Sequence, residues 1–404
     1  MQVDVAIIGA GPTGLAAAAQ LGMMGVKRVV VIEREREPGG IPRHCGHSPF
    51  GMREFHRILG GPAYARRLAA RAERAGALIL CDTTVTALHP GPELDLTGPE
   101  GPVRLTARAV LLAMGTRESS RVQRMIGGQK PGGILTTGAL QGMVHLNRQT
   151  PFRRPVILGS ELIAFSALLT CRQASIAPVA MVEPGARVIA RAGAGWLPRL
   201  LGVPLLRETR IATILGRERV EGVVLDGAGG AREIAADGVL LTGAFRSEAG
   251  LPAAAGMVLD PRTTGPVIDG FGRLAEPGYF AAGNLLRPVE TAGFCWASGR
   301  RVADAIAVHL TGGLPCPHLG RALRIDSDAI RYALPQILFP AGPGFHELIQ
   351  LRVTRPVSGE LRLSQGGDII ARRSLRALPE RRITLRVPQR LGEGPLGLEF
   401  EERA

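Results

Sequence analysis

The stretch VDVAIIGAGPTGLAAAAQLGMMG, residues 3–25, decides the fold. Val3, Val5, Ile7 and Ile8 make the short apolar run that a buried strand needs. GAGPTG follows at once, and an alanine-rich helix opens with Pro12 and Thr13. Gly9 permits a tight turn, Gly11 leaves room for a pyrophosphate, and Gly14 lets the helix lie close on the strand. The helix N-terminus offers backbone N–H groups and a positive dipole end to phosphates. A second strand, VKRVVVIE, ends at Glu33, 19 residues after Gly14, where a carboxylate accepts hydrogen bonds from ribose hydroxyls. Strand, fingerprint, helix, strand and terminal acid in register predict a dinucleotide-binding unit; the competing reading is a glycine-rich turn in an unrelated α/β protein. Val5 to Val26 is also uncharged and long enough to cross a bilayer. The glycine spacing explains that run better, and with Asp4 ahead of it and no basic flank it makes a poor signal peptide. No membrane span is expected.

Outward from that stretch, three further segments narrow the nucleotide to FAD. EREREPGG places Gly39 and Gly40 just after Glu33 and Arg34, and resembles the flavoprotein extension of the fingerprint. ARAVLLAMGTRE, Ala107 to Glu118, reads as a buried strand running through Ala113 into a Gly115 turn, and resembles the second flavoprotein motif. GYFAAGNLLRPVETAGFCWASGRRVADAIAVHL, Gly278 to Leu310, resembles the third. There a strand ends at Gly283 and Asn284, and a helix begins near Thr291 and Ala292, its N-terminus favouring negative charge on the flavin. Most relatives carry aspartate where this chain has Asn284.

The middle of the chain repeats the strand–turn–helix–strand pattern from Arg154 to Glu183. Its turn reads Gly159-Ser160-Glu161, so a carboxylate stands where the pyrophosphate needs glycine. The fold of a nicotinamide domain is expected to persist with its binding chemistry lost. The plainer expectation for Glu161 is a helix cap, accepting from the helix's own N–H groups.

The chain resembles the two-dinucleotide-binding flavoprotein superfamily of pyridine nucleotide–disulfide oxidoreductase type over residues 1–312. GGIPRHCGHSPFGMREFHRILGGPAYARRL, LLAMGTRESS and AAGNLLRPVETAGFCW are similar to the FAD-binding α subunits of heteromeric amino-acid dehydrogenases, the opine oxidase, hydrogen cyanide synthase and proline dehydrogenase group. GGPAYARR, PGGILTTGA and the tail also resemble flavoproteins associated with glycerol-3-phosphate dehydrogenase. The resemblance implies FAD held by Gly9, Gly11, Pro12, Thr13, Gly14, Glu33, Arg34, Gly40, Val85, Ala113, Gly115, Gly283, Asn284, Thr291 and Ala292. It implies a small-molecule substrate and a partner flavoprotein or iron–sulfur subunit. Disulfide-reductase chemistry is set aside, because GGIPRHCGHSPFG offers Cys45 alone. Arg43, His44, Cys45 and His47 are flavin-proximal candidates for catalysis; the bland reading is a loop whose imidazoles satisfy nearby backbone groups.

Composition trims the remaining classes. The chain has 404 residues, a formal charge of +14, and only Lys27 and Lys130 as lysines among its 49 basic residues. The arginines are scattered, and aromatics at 4% are too few for a base-stacking platform, so no nucleic-acid partner is expected. Cysteines at 45, 81, 171, 295 and 316 form no CxxC and no zinc or iron–sulfur spacing, so no metal is expected and a reducing cytoplasm fits. With none after Cys316, the [2Fe–2S] tail domain of many amino-acid dehydrogenase α subunits does not carry over.

The tail after 312 alternates apolar and polar residues. Leu351 and Val353, Leu361 and Leu363, Ile369 and Ile370, and Ile383 to Val387 read as four short strands, with Gly366–Asp368 as a turn. Asp326 to Leu338 reads as a helix or irregular connection. The expected architecture is α/β: two Rossmann-like dinucleotide-binding domains and a small C-terminal antiparallel β domain. The division is 1–117 and 246–312 for the FAD-binding domain, 118–245 for the inserted NAD(P)-like domain, and 313–404 for the β-rich tail. The expected function is an FAD-dependent oxidoreductase, one subunit of a heteromeric amino-acid or amine dehydrogenase that passes electrons to an acceptor other than NAD(P). The alternatives are an electron-relay or scaffold subunit beside a glycerol-3-phosphate dehydrogenase-like flavoprotein, or an NAD(P)H-dependent flavin reductase.

Overall fold

The computed structural model describes residues 1–190, 193–287, 289–339, 348–388 and 391–403. The chain divides into two compact units, one of Met1–Gly40, Ala65–Thr116 and Ser247–Ala404, the other of Ile41–Tyr64 and Arg117–Arg246.

In the first unit the opening stretch folds as its pattern requires. Gln2–Ile8 is a strand, Pro12–Met23 a helix, and Val29–Ile32 the next strand, parallel to the first. The parallel strands run in the order Leu78–Leu80, Val29–Ile32, Gln2–Ile8, Gly101–Leu112, Tyr279–Ala281. Ile8 pairs with both Ile32 and Leu112, and Leu112 pairs with Ala281, so the carboxyl ends lie level. Ligands of open α/β sheets bind at that edge. Thr84–His89 and Glu93–Gly98 extend the sheet antiparallel. Val5, Ala6 and Ile7 are fully buried, which is why the strand is a continuous apolar run rather than an alternating one.

The helix Ala292–Leu310 packs on Pro12–Met23 at a distance only glycine allows. A Cβ on Gly299 would lie 2.1 Å from the Thr13 carbonyl oxygen. Gln20 ties the pair, donating from Nε2 to Asp304 Oδ1 at 2.8 Å and accepting from Arg300 Nε at 2.9 Å.

The tail is part of this unit. Its strands form two sheets, Ile337–Leu338/Arg321–Ile325/Leu396–Glu402/Val357–Gln365/Asp368–Ala377 and Ile330–Leu334/Leu348–Val353/Ile383–Arg386, which share one core. All four strands read from the sequence are present, and Gly366 and Gly367 turn between the paired Gln365 and Asp368 with positive φ. The expectation of a helix or irregular connection over 326–338 is corrected: Ile330–Leu334 and Ile337–Leu338 are strands. Tyr332, Ala333 and Leu334 are all buried, so the alternation that marks a one-sided strand is missing there. Arg321–Ile325 runs parallel to Leu396–Leu398, so the tail is not wholly antiparallel.

The second unit carries its own parallel sheet, ordered Leu205–Leu206, Ala180–Val182, Pro155–Leu158, Gly238–Leu241, Ile134–Thr136. A four-stranded sheet of Gly230–Ala235, Gly222–Gly227, Thr209–Leu215 and Gly127–Gly128 accompanies it. Among the described residues no helix is long and apolar enough to cross a membrane.

Candidate cofactor site

The glycine-rich turn leaves the strand at Gly9, whose φ of +104° and 2.8 Å approach of its Cβ position to Ala113 O admit glycine alone. A Cβ on Gly14 would stand 2.0 Å from Gly9 O, so helix and turn are in contact through bare backbone. At Gly11, by contrast, a Cβ would meet nothing within 4 Å. That open space faces the N-terminus of the helix, where Gly11 is the N-cap, Pro12 stands at N1 and no side chain caps. Gly40, with φ +59°, comes within 2.9 Å of Gly11 Cα at its Cβ position, so the two glycines border the same gap. A pyrophosphate fits a gap of bare backbone and helix N–H groups.

Glu33 is buried and held by backbone on both oxygens. Ala10 N donates to Oε2 at 2.9 Å and Glu35 N to Oε1 at 3.0 Å. Each carboxylate oxygen keeps a second lone pair for a ribose hydroxyl. The turn and the acid are therefore one construction. Replacing Glu33 with leucine strands two backbone donors as well as the ribose contact, and about 2–3 kcal/mol of FAD affinity is expected to go. Flavin titration would show a dissociation constant raised at least tenfold.

The remaining FAD candidates fall around these strand ends or beside them. Ala113 is buried and donates to Ile8 O at 2.9 Å, and Gly115 turns with φ +74°. Gly283, φ +72°, packs against Thr13, its Cβ position 2.1 Å from the threonine Oγ1. Thr291 caps Ala292–Leu310 without a side-chain bond and is exposed, while Ala292 is half-buried. Val85 is buried on the antiparallel extension, and Arg34 is exposed after Glu33. Asn284 is spent locally. Its amide is used on its own loop, Oδ1 accepting from Glu290 N at 2.8 Å and Nδ2 donating to Glu290 O at 3.2 Å.

That loop exposes what sequence reasoning missed. Glu290 is buried, and its Oε1 accepts from Gln350 Nε2 at 2.8 Å and from Arg352 Nη2 at 3.2 Å, with Arg287 Nε 4.0 Å away. Arg352 also donates to Val289 O at 2.6 Å, and the Arg382 guanidinium covers the Phe294 ring at 3.5 Å. Two tail segments thus fix the loop and first turn of the helix whose N-terminus the third motif presents. These partners lie some 60 residues apart, with no local pattern to announce them.

Arg43, His44, Cys45 and His47 group with the second unit. Ile41–His44 is a 3-10 turn, and the Cys45 thiol lies 3.5 Å from Gln141 Oε1. Burial pushes that thiol up to about 12, so it stays protonated at neutral pH. His47 stacks on Phe50 at 5.4 Å, and burial lowers its pKa. His145 is lowered too, by burial and then by His47. Among the described residues no three or more His, Cys, Asp or Glu side chains gather closely enough to hold a metal ion.

The second fingerprint is filled from within. Glu161 stands at the N-cap of Leu162–Gln173, but its side chain makes no cap bond to that helix. The capping expectation is corrected: Oε1 accepts instead from Ala244 N at 3.2 Å, and the carboxylate packs against Gly243. Glu118 accepts from Gly243 N at 3.1 Å and Gly138 N at 2.9 Å. Arg124 donates to the Thr242 and Gly243 carbonyls, both at 2.7 Å, and its pKa is lowered by burial against the pull of Glu161 and Glu118. Glu183, at the end of the second strand of this unit, takes Gly185 N at 2.8 Å and the Ser160 hydroxyl. The backbone donors of the 243–244 turn are therefore already spent on carboxylates.

Comparison with known proteins agrees with this geometry. The family model described as pyridine nucleotide-disulphide oxidoreductase matches residues 3–322. The alpha subunit of sarcosine oxidase from Rhizobium meliloti is 26% identical over 82% of this chain and 33% of its own length. One opine oxidase subunit from Rhizobium meliloti is 25% identical over 75% of this chain and 61% of its own. The chain thus spans between a third and three-fifths of these two relatives. Thioredoxin reductase of T. acidophilum superposes with a TM-score of 0.63 at 19% identity, covering 76% of this chain and 98% of that one. L-proline dehydrogenase of P. horikoshii gives 0.59 at 19%, covering 79% and 57%. With its paired Rossmann-type units and a family match over residues 3–322, the chain belongs to the pyridine nucleotide-disulphide oxidoreductase family.

Proposed function

We propose that this chain is the FAD-binding subunit of a heteromeric dehydrogenase acting on amino acids or amines, and that its electrons leave to a partner flavoprotein or iron–sulfur subunit rather than to NAD(P). The observation that carries the reading is the Glu161 carboxylate on the Ala244 amide, beside Gly243. An NAD(P) pyrophosphate brought to that turn would meet a carboxylate instead of a free N–H, and like charges repel strongly away from water. The bound flavin supplies the electron-transfer chemistry. The protein's share is orientation: Glu33 and the bare turn for the adenosine half, and the Glu290 cluster for the helix Ala292–Leu310.

The named relatives support the substrate class, since sarcosine oxidase and opine oxidase are both amine-oxidising proteins by name. The five cysteines form no CxxC pair, which counts against dithiol chemistry. A relay role, in which the partner holds the substrate site, rests on the same Glu161 observation. Expressing the chain with and without its genomic neighbours and supplying sarcosine, an opine or proline separates these roles. Substrate oxidation is expected only when chain and partner are together. Turnover by the isolated chain at the full rate of the complex would sink the partner-dependent reading.

A further inference from the structure

The five-stranded tail sheet ends on Asp368–Ala377, which pairs along one side with Val357–Gln365 and, among the described residues, with no strand on the other. At 10 residues it is long for an edge, and only Ala377 of them is buried. Open edges of this length invite another chain, and proteins blunt them with prolines, bulges or charges. The strand holds no proline, and its one bulge falls beside the turn, where Leu363 pairs with Ala371 and Ser364 with Ile369. From Ala371 to Ala377 the edge is regular and its charge has one sign: Arg372, Arg373 and Arg376, with Asp368 away at the turn. Arg373 turns across to donate to the Thr384 carbonyl. Arg372 and Arg376 flank Ser374 at alternate positions, exposed and without an ion pair or side-chain hydrogen bond among the described residues. On the adjoining strand the one carboxylate, Glu360, feels Arg372 but accepts from Arg362 Nε at 2.8 Å. One strand further in, Glu401 pairs with Arg362 and Glu399 stands opposite it in register, while Arg403 donates to Ser374 Oγ at 3.3 Å.

We propose that this edge takes an extended acidic segment of a partner chain as a further strand, with its carboxylates on Arg372 and Arg376. Alternate residues of a strand share a face and four residues span about 13 Å, so acids at alternate positions meet both guanidiniums. The other face of the segment carries apolar side chains toward half-buried Ala371 and Leu375. Main-chain hydrogen bonds supply the affinity of such an added strand, and the arginines supply its selectivity. A second copy of this chain is a poor occupant. Paired antiparallel about Ser374, it would set Arg372 opposite Arg376 twice, and like charges directly opposite destabilise a ladder. The inference rests on the proposed function only in giving the partner subunit a place to dock, and no substrate enters it.

The test uses the full FAD-loaded chain and a labelled peptide that alternates glutamate and valine over about eight residues, read by fluorescence anisotropy. Two control peptides accompany it: lysine for glutamate, and proline for valine, which keeps the charge but removes backbone donors. One acidic peptide is expected to bind per chain, with both controls at least about tenfold weaker. Arg372→Glu combined with Arg376→Glu is expected to turn the preference toward the lysine peptide and to leave flavin content and melting temperature unchanged. Should that variant melt early, Arg372→Gln combined with Arg376→Gln decides by the same loss of acidic peptide. Either control bound as tightly as the acidic peptide, or a folded double variant that keeps the original affinity, would overturn the proposal. An oligonucleotide of equal charge bound more tightly than the peptide, or a dimer that the charge reversal abolishes, would assign the edge to another occupant and overturn it as well. Because no substrate is supplied, a failed amine-oxidation assay leaves the peptide result standing, and a failed peptide titration leaves that assay standing.

Discussion

Gly11→Ala is expected to fold and melt like the unmodified chain and yet to lose FAD. A methyl at Gly11 meets no protein atom within 4 Å, and its φ of −79° suits alanine, so the empty protein has no reason to change. The methyl would stand in the gap assigned to the pyrophosphate, and about 100-fold weaker flavin binding follows if phosphate and methyl compete for that space. Gly14→Ala is the contrasting case. Its Cβ would lie 2.0 Å from Gly9 O, so the helix must lift from the turn whether or not cofactor is present. Overpacking of that kind costs about 1–3 kcal/mol, or roughly 2–10 °C of melting temperature, and the displaced turn loses flavin too. The ratio of flavin absorbance to protein absorbance, measured beside a thermal melt, separates the two. Equal melting losses in both variants would mean that the space before Gly11 is not a cofactor gap.

Glu290→Ala carries the largest expected cost to stability. The substitution leaves buried Arg287 and half-buried Arg352 with no carboxylate between them and frees the Gln350 amide. Breaking a buried pair by removing one partner costs about 3–5 kcal/mol. Because the tail strand Leu348–Val353 reaches the helix loop through this residue, urea unfolding should show an earlier midpoint, with the tail released from the loop before Ala292–Leu310. Glu290→Gln keeps an acceptor for Gln350 and Arg352 and should fall between. A Glu290→Ala midpoint indistinguishable from that of the unmodified chain would show that tail and loop are held by something else.

The sequence carried the first unit well because its signals are local. Gly9, Gly11, Gly14 and Glu33 lie within one strand–helix–strand unit, and each residue type follows from a backbone approach or a hydrogen bond made there. Val357–Gln365 and Ile383–Arg386 were legible for the same reason, since one-sided strands alternate. Ile330–Leu334 was not, because burial on both faces erases the alternation. At Glu161 the sequence showed that glycine was missing, but not where the carboxylate would go. That depends on the amide of Ala244, 83 residues later. The Glu290 cluster was invisible for the same physical reason: its charges are spread over distant segments and become neighbours only in the fold. Asn284 illustrates a third limit, as a motif position fixes which residue stands there but not whether its amide turns outward or onto its own loop.

A chain that keeps the FAD half of its family's chemistry and closes the nicotinamide half should hold a flavin that nicotinamide nucleotides do not reduce. Anaerobic mixing of the FAD-loaded chain with excess NADH or NADPH, followed at the flavin band and compared with dithionite, addresses it directly. Dithionite is expected to bleach the flavin while both nucleotides leave it oxidised. Rapid bleaching by either nucleotide would contradict it.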